Sequence, residues 1–166
     1  MRLGDNSKQK NSRWYSGSGI YRHVWMVVSD PIHVAQWGLT VTTPNVSTEK
    51  ATVIVKTLVK NETGLAQNVS LNTTLRDANA RTAGGNQQVV KLPANSEKEV
   101  EQIVQVSKPL LWTPETPNLY QAQVRIEKNK KAVDYVKTSF GIVNFANGYL
   151  KPGVINYKFE SDKTPS

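Results

Sequence analysis

The chain has 166 residues, and its 21 Lys and Arg against 13 Asp and Glu give a formal net charge of +8 at pH 7. It contains no cysteine, which excludes a disulfide framework, a cysteine-ligated zinc or iron–sulfur site and a cysteine nucleophile. Two histidines, His23 and His33, are too few for a histidine-rich metal site or a relay of several imidazoles. We therefore expect one domain-sized unit with no metal, no cofactor and no membrane-spanning segment.

Alternating apolar residues predict β-strands along most of the chain. Ile20–Val28 and Val34–Val41 are rich in β-branched and aromatic residues, which favours strands. Four later runs each place one set of alternating residues on a common face: Ala51, Val53, Val55, Thr57 and Val59; Val69, Leu71, Thr73 and Leu75; Val100, Gln102, Val104 and Val106; Tyr120, Ala122, Val124 and Ile126. Asn129–Lys130 then predicts a tight hairpin turn, with Val133–Ile142 as the returning strand.

Two segments are predicted to lie between strands. Asp77–Asn86 is rich in Ala, Gly and Asn, and Ser107–Asn118 contains three prolines, which excludes a central strand or a helix. No run of ten or more residues has a clear helical period. About seven short strands with frequent turns predict an all-β fold, an immunoglobulin-like antiparallel β-sandwich with an extra N-terminal strand segment. A jelly roll or a barrel fits the same pattern.

The charged residues supply two weaker candidates. Glu97, Glu99 and Glu101 share one strand face, where they would either bind a hard cation such as Ca²⁺ or form a solvated outer face. We favour the solvated face, because Lys98 and Val100 fill the other face of the strand. Lys128, Lys130 and Lys131 cluster at the presumed hairpin tip, but without an aromatic platform they indicate a solvated surface and no nucleic-acid partner.

Aromatic residues are concentrated near the N-terminus. Trp14, Tyr15, Tyr21 and Trp25 lie within twelve residues and would either stack on sugar rings or pack in a core or interdomain interface. Packing is the favoured interpretation.

Three motifs resemble glycoside hydrolase family 2, β-galactosidases above all. Asn11–Trp25, with Asp5–Ser7 before it, resembles the end of that family's sugar-binding jelly roll. The run Leu111–Tyr120, L-W-T-P-E-T-P-N-L-Y, is similar to a stretch late in the family's immunoglobulin-like domain, and Ser139–Ile142 to the segment that closes that domain before the (β/α)₈ barrel. The motifs occur in the family's order.

The resemblance implies three parts. Residues 1–33 would be the end of the jelly-roll domain and a linker, residues 34–143 the immunoglobulin-like sandwich, and residues 144–166 a linker towards a barrel. Family members carry their catalytic glutamates in the barrel, so no catalytic residue is expected in this chain. Its structural motif comprises Leu111, Trp112, Pro114, Pro117, Leu119, Tyr120, Phe140 and Gly141. A candidate substrate-side loop comprises Ser12, Arg13, Trp14 and Tyr15.

The implied function is mechanical. A rigid sandwich would position the sugar-binding domain against the catalytic barrel of a β-galactosidase-like enzyme that hydrolyses O-glycosidic bonds. We expect Leu110, Leu111, Trp112, Leu119 and Tyr120 to pack around the proline-rich loop. The alternatives are a carbohydrate-binding module that contacts galactosides through the aromatic residues near Trp14–Trp25, and a basic adhesion or nucleic-acid-binding sandwich.

Partners and location are also expectations. The other domains of the same polypeptide are the main expected partners, with galactosides as candidate ligands. Ile20–Val28, if it belongs to another domain, would be disordered, fold back on the sandwich or pair with a second copy. Residues 1–5 contain no signal-peptide h-region. Family habit nevertheless suggests a periplasmic or extracellular parent protein, with the cytoplasm as the alternative.

Overall fold

The computed structural model describes Val24, Met26 and residues 28–144, and the regular structure of this part consists of strands. The strands are β1 (Ile32–Val46), β2 (Lys50–Asn61), β3 (Gln67–Arg76), β4 (Thr82–Leu92), β5 (Ser96–Ser107), β6 (Tyr120–Lys128) and β7 (Lys131–Phe140). They form two antiparallel sheets, ordered β1-β2-β5 and β4-β3-β6-β7. The predicted all-β sandwich is confirmed. Relative to the constant-type immunoglobulin arrangement, the fourth strand joins the opposite sheet.

The core lies between the two sheets and is made by the alternating faces that the sequence predicted. Every residue of the four predicted sets is buried, including the polar Thr57, Thr73 and Gln102. Ile32, Leu92 and Ile142 join this cluster from the strand ends and the segment after β7. Each buried Val, Leu or Ile contributes about 1.5–3 kcal/mol relative to an exposed position, so the period-two pattern itself drives the sheets together.

The hairpin between β6 and β7 has the predicted turn. Asn129 and Lys130 adopt positive φ angles of 52° and 64°, as a two-residue type I′ turn requires. The register places Lys128 directly opposite Lys131. Lys128, Lys130 and Lys131 therefore lie at one end of the sandwich, as the sequence predicted.

The segment Asp77–Asn86 is the place where the strand prediction was wrong. Only Asp77–Arg81 forms a turn, in which the Asp77 carboxylate accepts hydrogen bonds from the N–H groups of Asn79 and Arg81 at 2.8 and 2.9 Å. Residues from Thr82 onward belong to β4. The first half of β4 lacks apolar alternation, and its strand form results from pairing with β3.

β1 is longer than the predicted Val34–Val41 and is bent. Its register against β2 shifts around Trp37, whose φ of 61° lies in the left-handed region. Gly38 follows, where an added Cβ would lie 2.7 Å from the Ala35 carbonyl oxygen. The chain therefore needs glycine to form this bulge, which bends the edge strand.

An acidic side chain joins the edges of the two sheets. The Val34 N–H on β1 donates to Asp134 Oδ2 on β7 at 2.8 Å. This bond supplies a partner for a backbone donor of β1, which is an edge strand of its sheet. A carboxylate on β7 also discourages further strands from adding to that edge.

Several predictions fall largely outside the described residues. They are the rest of the strand Ile20–Val28, whose described residues Val24, Met26 and Val28 are exposed and lie outside any strand, its self-association, and the assignment of residues 1–33 and 144–166 to jelly-roll and linker segments. These stay predictions. Across the described residues we find no helix with the length and hydrophobicity needed to traverse a bilayer.

Candidate functional site

The proline-rich loop between β5 and β6 is held by its own polar groups. The Thr113 N–H donates to the Thr116 carbonyl at 3.1 Å, and the Thr116 N–H donates to Thr113 Oγ1 at 3.0 Å. Trp112 and Pro117 form an isolated antiparallel bridge across the loop. Pro114 and Pro117 fix φ on either side of this turn, which limits the conformations that the loop can adopt. The prediction that this segment is neither a helix nor a central strand is confirmed.

Tyr120 fastens the loop to the start of β6. Its phenolic oxygen accepts a hydrogen bond from the Leu110 N–H at 2.8 Å, an arrangement known as a tyrosine corner. The ring is 2% exposed, and its centroid lies 5.8 Å from that of Phe140. Burial raises the pKa of Tyr120, because the phenolate is disfavoured away from water, and this outweighs the opposing effect of the Leu110 hydrogen bond.

Trp112 connects the loop to the end of the last strand. The backbone N–H of Trp112 donates to the Ile142 carbonyl at 2.8 Å. Its side chain lies against Gly141, where an added Cβ would be 3.0 Å from Trp112 Cβ and Cγ. Ile142 itself is fully buried. The segment leaving β7 is thus fixed by a backbone hydrogen bond, a close side-chain contact and a core anchor.

These contacts bring the two C-terminal sequence motifs together. We call Trp112, Tyr120, Phe140, Gly141 and Ile142 the exit corner. The residues come from segments about twenty positions apart, yet they form one contiguous unit at the end of β7. The exit corner fixes the backbone at the end of β7 through side-chain packing and one backbone hydrogen bond.

The predicted packing around the loop is correct only in part. Leu111 packs against the core and Tyr120 is buried, but Leu110 and Leu119 are 38% and 45% exposed. Prolines 114 and 117 of the structural motif are exposed as well. The loop faces solvent on the side away from Tyr120, because its inner side alone reaches the core.

The glutamate face of β5 is an ion-pair ladder. Lys60 Nζ lies 2.7 Å from Glu97, and Lys56 Nζ lies 3.4 Å from Glu99 and 3.5 Å from Glu101. The facing carboxylates raise the pKa of Lys56, chiefly through the Glu99 charge, and the Glu97 hydrogen bond raises that of Lys60. Among the described residues, no group of three or more His, Cys, Asp or Glu is placed to share a metal ion.

A groove on the outer face of the four-stranded sheet was missed by the sequence analysis. It has a volume of about 320 Å³ and is lined by Asn72, Thr74, Gln87, Gln123, Arg125, Glu127 and Tyr135. We call it the outer groove. The groove residues on β3 and β6 alternate with buried residues, whereas Gln87 and Tyr135 lie in strands with less regular alternation. The alternation in the sequence indicates which residues face outward. The register between strands was needed to show which of these residues are neighbours.

The candidate substrate-side loop Ser12, Arg13, Trp14 and Tyr15 lies outside the described residues, as do Tyr21 and Trp25. Their role stays a prediction.

Comparison with known proteins gives consistent relatives. The chain is 37% identical over 152 residues to the β-galactosidase BoGH2A of Bacteroides ovatus, covering 92% of this chain and 18% of that protein. It is 26% identical over 144 residues to a β-glucuronidase of Formosa agariphila, covering 81% of this chain and 15% of that protein. The chain thus spans less than a fifth of the length of these curated relatives.

Solved structures and the family profile agree with these relatives. A family 2 glycosyl hydrolase from Bacteroides cellulosilyticus superposes with a TM-score of 0.71 at 36% identity, covering 82% of this chain and 19% of the other. The profile of glycosyl hydrolases family 2 matches residues 32–142, which include all seven strands and the exit corner. The chain belongs to glycosyl hydrolases family 2.

Proposed function

We propose that this chain is a non-catalytic β-sandwich unit of a β-galactosidase-like glycosidase, and that it positions a sugar-binding domain against a catalytic domain. Hydrolysis of the O-glycosidic bond would occur in the remainder of the polypeptide. The names of the relatives and the small share of their length that this chain covers support the proposal.

The exit corner is the observation that carries the proposal. A domain can position its neighbour only if the connecting backbone leaves it in a fixed direction. Here the Ile142 carbonyl accepts a hydrogen bond from the backbone N–H of Trp112 at 2.8 Å, and the Ile142 side chain is fully buried. Catalytic groups must be held to within about 0.5 Å of their productive positions, so a fixed exit direction affects turnover without any chemistry of its own.

The test begins with the 166-residue chain. We expect no hydrolysis of 4-nitrophenyl β-D-galactoside above the buffer rate, and hydrolysis that scales with protein concentration would contradict the non-catalytic assignment. The positioning role is then tested in the complete polypeptide with Trp112→Ala, which removes the indole that packs against Gly141 and leaves the backbone N–H in place. Misplacement of about 1 Å can cost up to a hundredfold in rate, so we expect kcat to fall by at least about tenfold.

A matched control separates positioning from general destabilisation. Leu65→Ala truncates a side chain that is 71% exposed and lies in another loop, and it should leave kcat unchanged. Small-angle scattering reports the domain arrangement at a temperature where every variant is folded. If Trp112→Ala lowers the melting temperature but leaves kcat and the scattering profile as in the wild type, the positioning role is wrong.

Location belongs to the same proposal. We place the complete protein in the periplasm or outside the cell, and fractionation of the host cells with an antibody against this sandwich tests it. Recovery in the cytoplasmic fraction alone would contradict it.

A further inference from the structure

The outer groove is built by a row of side chains that crosses all four strands. Asn72 on β3 pairs with Gln87 on one side and with Arg125 on the other, and Arg125 pairs with Tyr135 on β7. Neighbouring strands are about 4.8 Å apart, so the row extends about 14 Å. This is the length of a short oligosaccharide lying across the strands.

The polar groups of the row are a mixture of donors and acceptors. Ser70 donates to Asn72 Oδ1 at 3.3 Å, and Gln87 Nε2 donates to Ser70 Oγ at 3.1 Å. Within the described part of the chain, three side-chain groups form no hydrogen bond with the protein. They are the N–H groups of the Asn72 amide, the side-chain carbonyl of Gln87 and the Tyr135 hydroxyl. Side-chain amides offer two donors and an acceptor, which suits a ligand whose hydroxyl groups both donate and accept.

The charge of this sheet face is positive. Arg76, Lys91, Arg125 and Lys137 occupy outward positions, against Glu127 as the acidic side chain of the groove. Arg125 Nη1 lies 3.6 Å from Glu127 Oε1, which is longer than a hydrogen bond, and its side chain is 56% exposed. This ion pair with Glu127 involves Nη1, and the remaining N–H groups of the guanidinium are placed to bind a second carboxylate.

An aromatic side chain closes the row at β7. Tyr135 is 44% exposed, although a tyrosine can bury a large apolar area. A ring at the end of a polar row provides an apolar surface for the hydrophobic face of a sugar. A single-stranded nucleic acid would call for several aromatic rings along the backbone track, and among the groove residues Tyr135 is the one aromatic side chain.

We propose that the outer groove binds an acidic oligosaccharide, a short sugar chain that carries a uronic-acid carboxylate. Arg125 binds the carboxylate, Asn72 and Gln87 bind hydroxyl groups, and Tyr135 packs against a sugar ring. This site is separate from the exit corner and does not depend on the positioning role. Its failure would leave that role untouched.

The test uses the 166-residue chain and ¹H–¹⁵N correlation spectra. Trigalacturonate is the probe, and neutral β-1,4-galactotriose is its matched control. We expect saturable shifts for the backbone amides of Asn72, Gln87, Arg125 and Tyr135 and for the side-chain amides of Asn72 and Gln87. The expected Kd is on the order of 1 mM. Galactotriose should bind at least about tenfold more weakly, because it lacks the carboxylate that Arg125 binds.

Variants assign the effect to the groove. Arg125→Gln should weaken trigalacturonate binding by about tenfold and remove the preference for the acidic sugar. Lys50→Gln causes the same change in net charge at an exposed site on the other sheet and should bind as the wild type. Tyr135→Ala should weaken both sugars, by about threefold or more. All three positions are exposed, and dispersed spectra verify that each variant is folded.

Three results would overturn the proposal. One is the absence of shifts at about 10 mM trigalacturonate, far above the expected Kd. Another is equal binding of acidic and neutral sugars. The third is tighter binding of a single-stranded oligonucleotide, with shifts centred on Lys128–Lys131, which would make this a general polyanion surface.

Discussion

Trp112 packs directly against the backbone of Gly141. An added Cβ at Gly141 would lie 3.0 Å from Trp112 Cβ and Cγ and 3.3 Å from Cδ1. Real Cβ atoms rarely approach other atoms so closely, so any larger residue at this position must displace the indole. The contact explains why a glycine and a tryptophan occur together in the two motifs of this chain: each is fitted to the other.

Gly141→Ala should therefore destabilise the sandwich. Forcing the indole to move costs about 1–3 kcal/mol, the usual range for overpacking a fitted contact. Chemical denaturation of the 166-residue chain measures the free energy of unfolding. Gly64→Ala is the matched control, because an added Cβ at Gly64 meets nothing within 4 Å. A similar loss in both variants would show that the Trp112 contact is not the cause.

The Trp112 contact can also be isolated by a double-mutant cycle. In a Trp112→Ala background the space beside Gly141 is open, so Gly141→Ala should cost less than about 0.5 kcal/mol. A cost equal to that in the wild-type background would assign the effect to the backbone of Gly141 and not to the indole.

Tyr120→Phe should cost about 1–3 kcal/mol of unfolding free energy. The substitution keeps the ring contact with Phe140 but leaves the Leu110 N–H without its acceptor. Loss of amide-exchange protection at Leu110, measured by NMR, would localise the effect. An unchanged exchange rate together with unchanged stability would mean that water replaces the phenol at no cost.

The stability of the sandwich should fall above about pH 10. Burial raises the pKa of Tyr120 above its ordinary value of 10.0, so the folded state holds that proton more tightly than the unfolded state. This contribution is complete below the unfolded pKa and is lost as the pH rises through the folded pKa. Raised pKa values of Lys56 and Lys60 act in the same direction. Urea unfolding from about pH 8 to pH 11 measures the slope, and Tyr120→Phe should reduce it. An identical slope in wild type and variant would exclude Tyr120 as a source.

Thr57→Val should stabilise the fold. Thr57 is fully buried and, among the described residues, its Oγ1 has no hydrogen-bond partner. Valine has nearly the same shape without the desolvated hydroxyl, which gives an expected gain of about 1 kcal/mol. The matched Thr73→Val should destabilise by about 1–3 kcal/mol, since the Thr73 hydroxyl donates to the buried Gln102 Oε1 at 2.6 Å. Effects of the same sign in both variants would refute the assignment, with thermal unfolding as the readout.

Lys130→Gly should also stabilise the chain, by about 0.5–1 kcal/mol. Lys130 has a φ of 64°, which is strained for a side chain but free of strain for glycine, and Asn-Gly is the preferred type I′ pair. Lys131→Gly removes the same charge one residue later, inside β7, and should destabilise. Equal melting temperatures for the two variants would contradict the turn assignment.

The sequence by itself determined the strands that alternate strictly. The alternating sets predicted on β2, β3, β5 and β6 are apolar except for Thr57, Thr73 and Gln102, and every residue of these sets is buried. Burial of one sheet face requires a period of two residues, so the residues that alternate in the sequence are the ones that form the core. The turn at Asn129–Lys130 was also readable, because asparagine tolerates a positive φ and this pair separates two runs rich in β-branched residues.

Other features were decided only by tertiary structure. β4 contains Gly84 and Gly85, which lower strand propensity, yet Gly84 is needed because Val104 Cγ1 would lie 2.7 Å from its Cβ. Pairing with β3 and contact with β5 impose the strand form there. The exit corner and the outer groove likewise depend on which strands become neighbours. Local sequence specifies which face a residue takes, whereas the register between distant strands specifies which residues meet, and that register is set by packing of the whole sandwich.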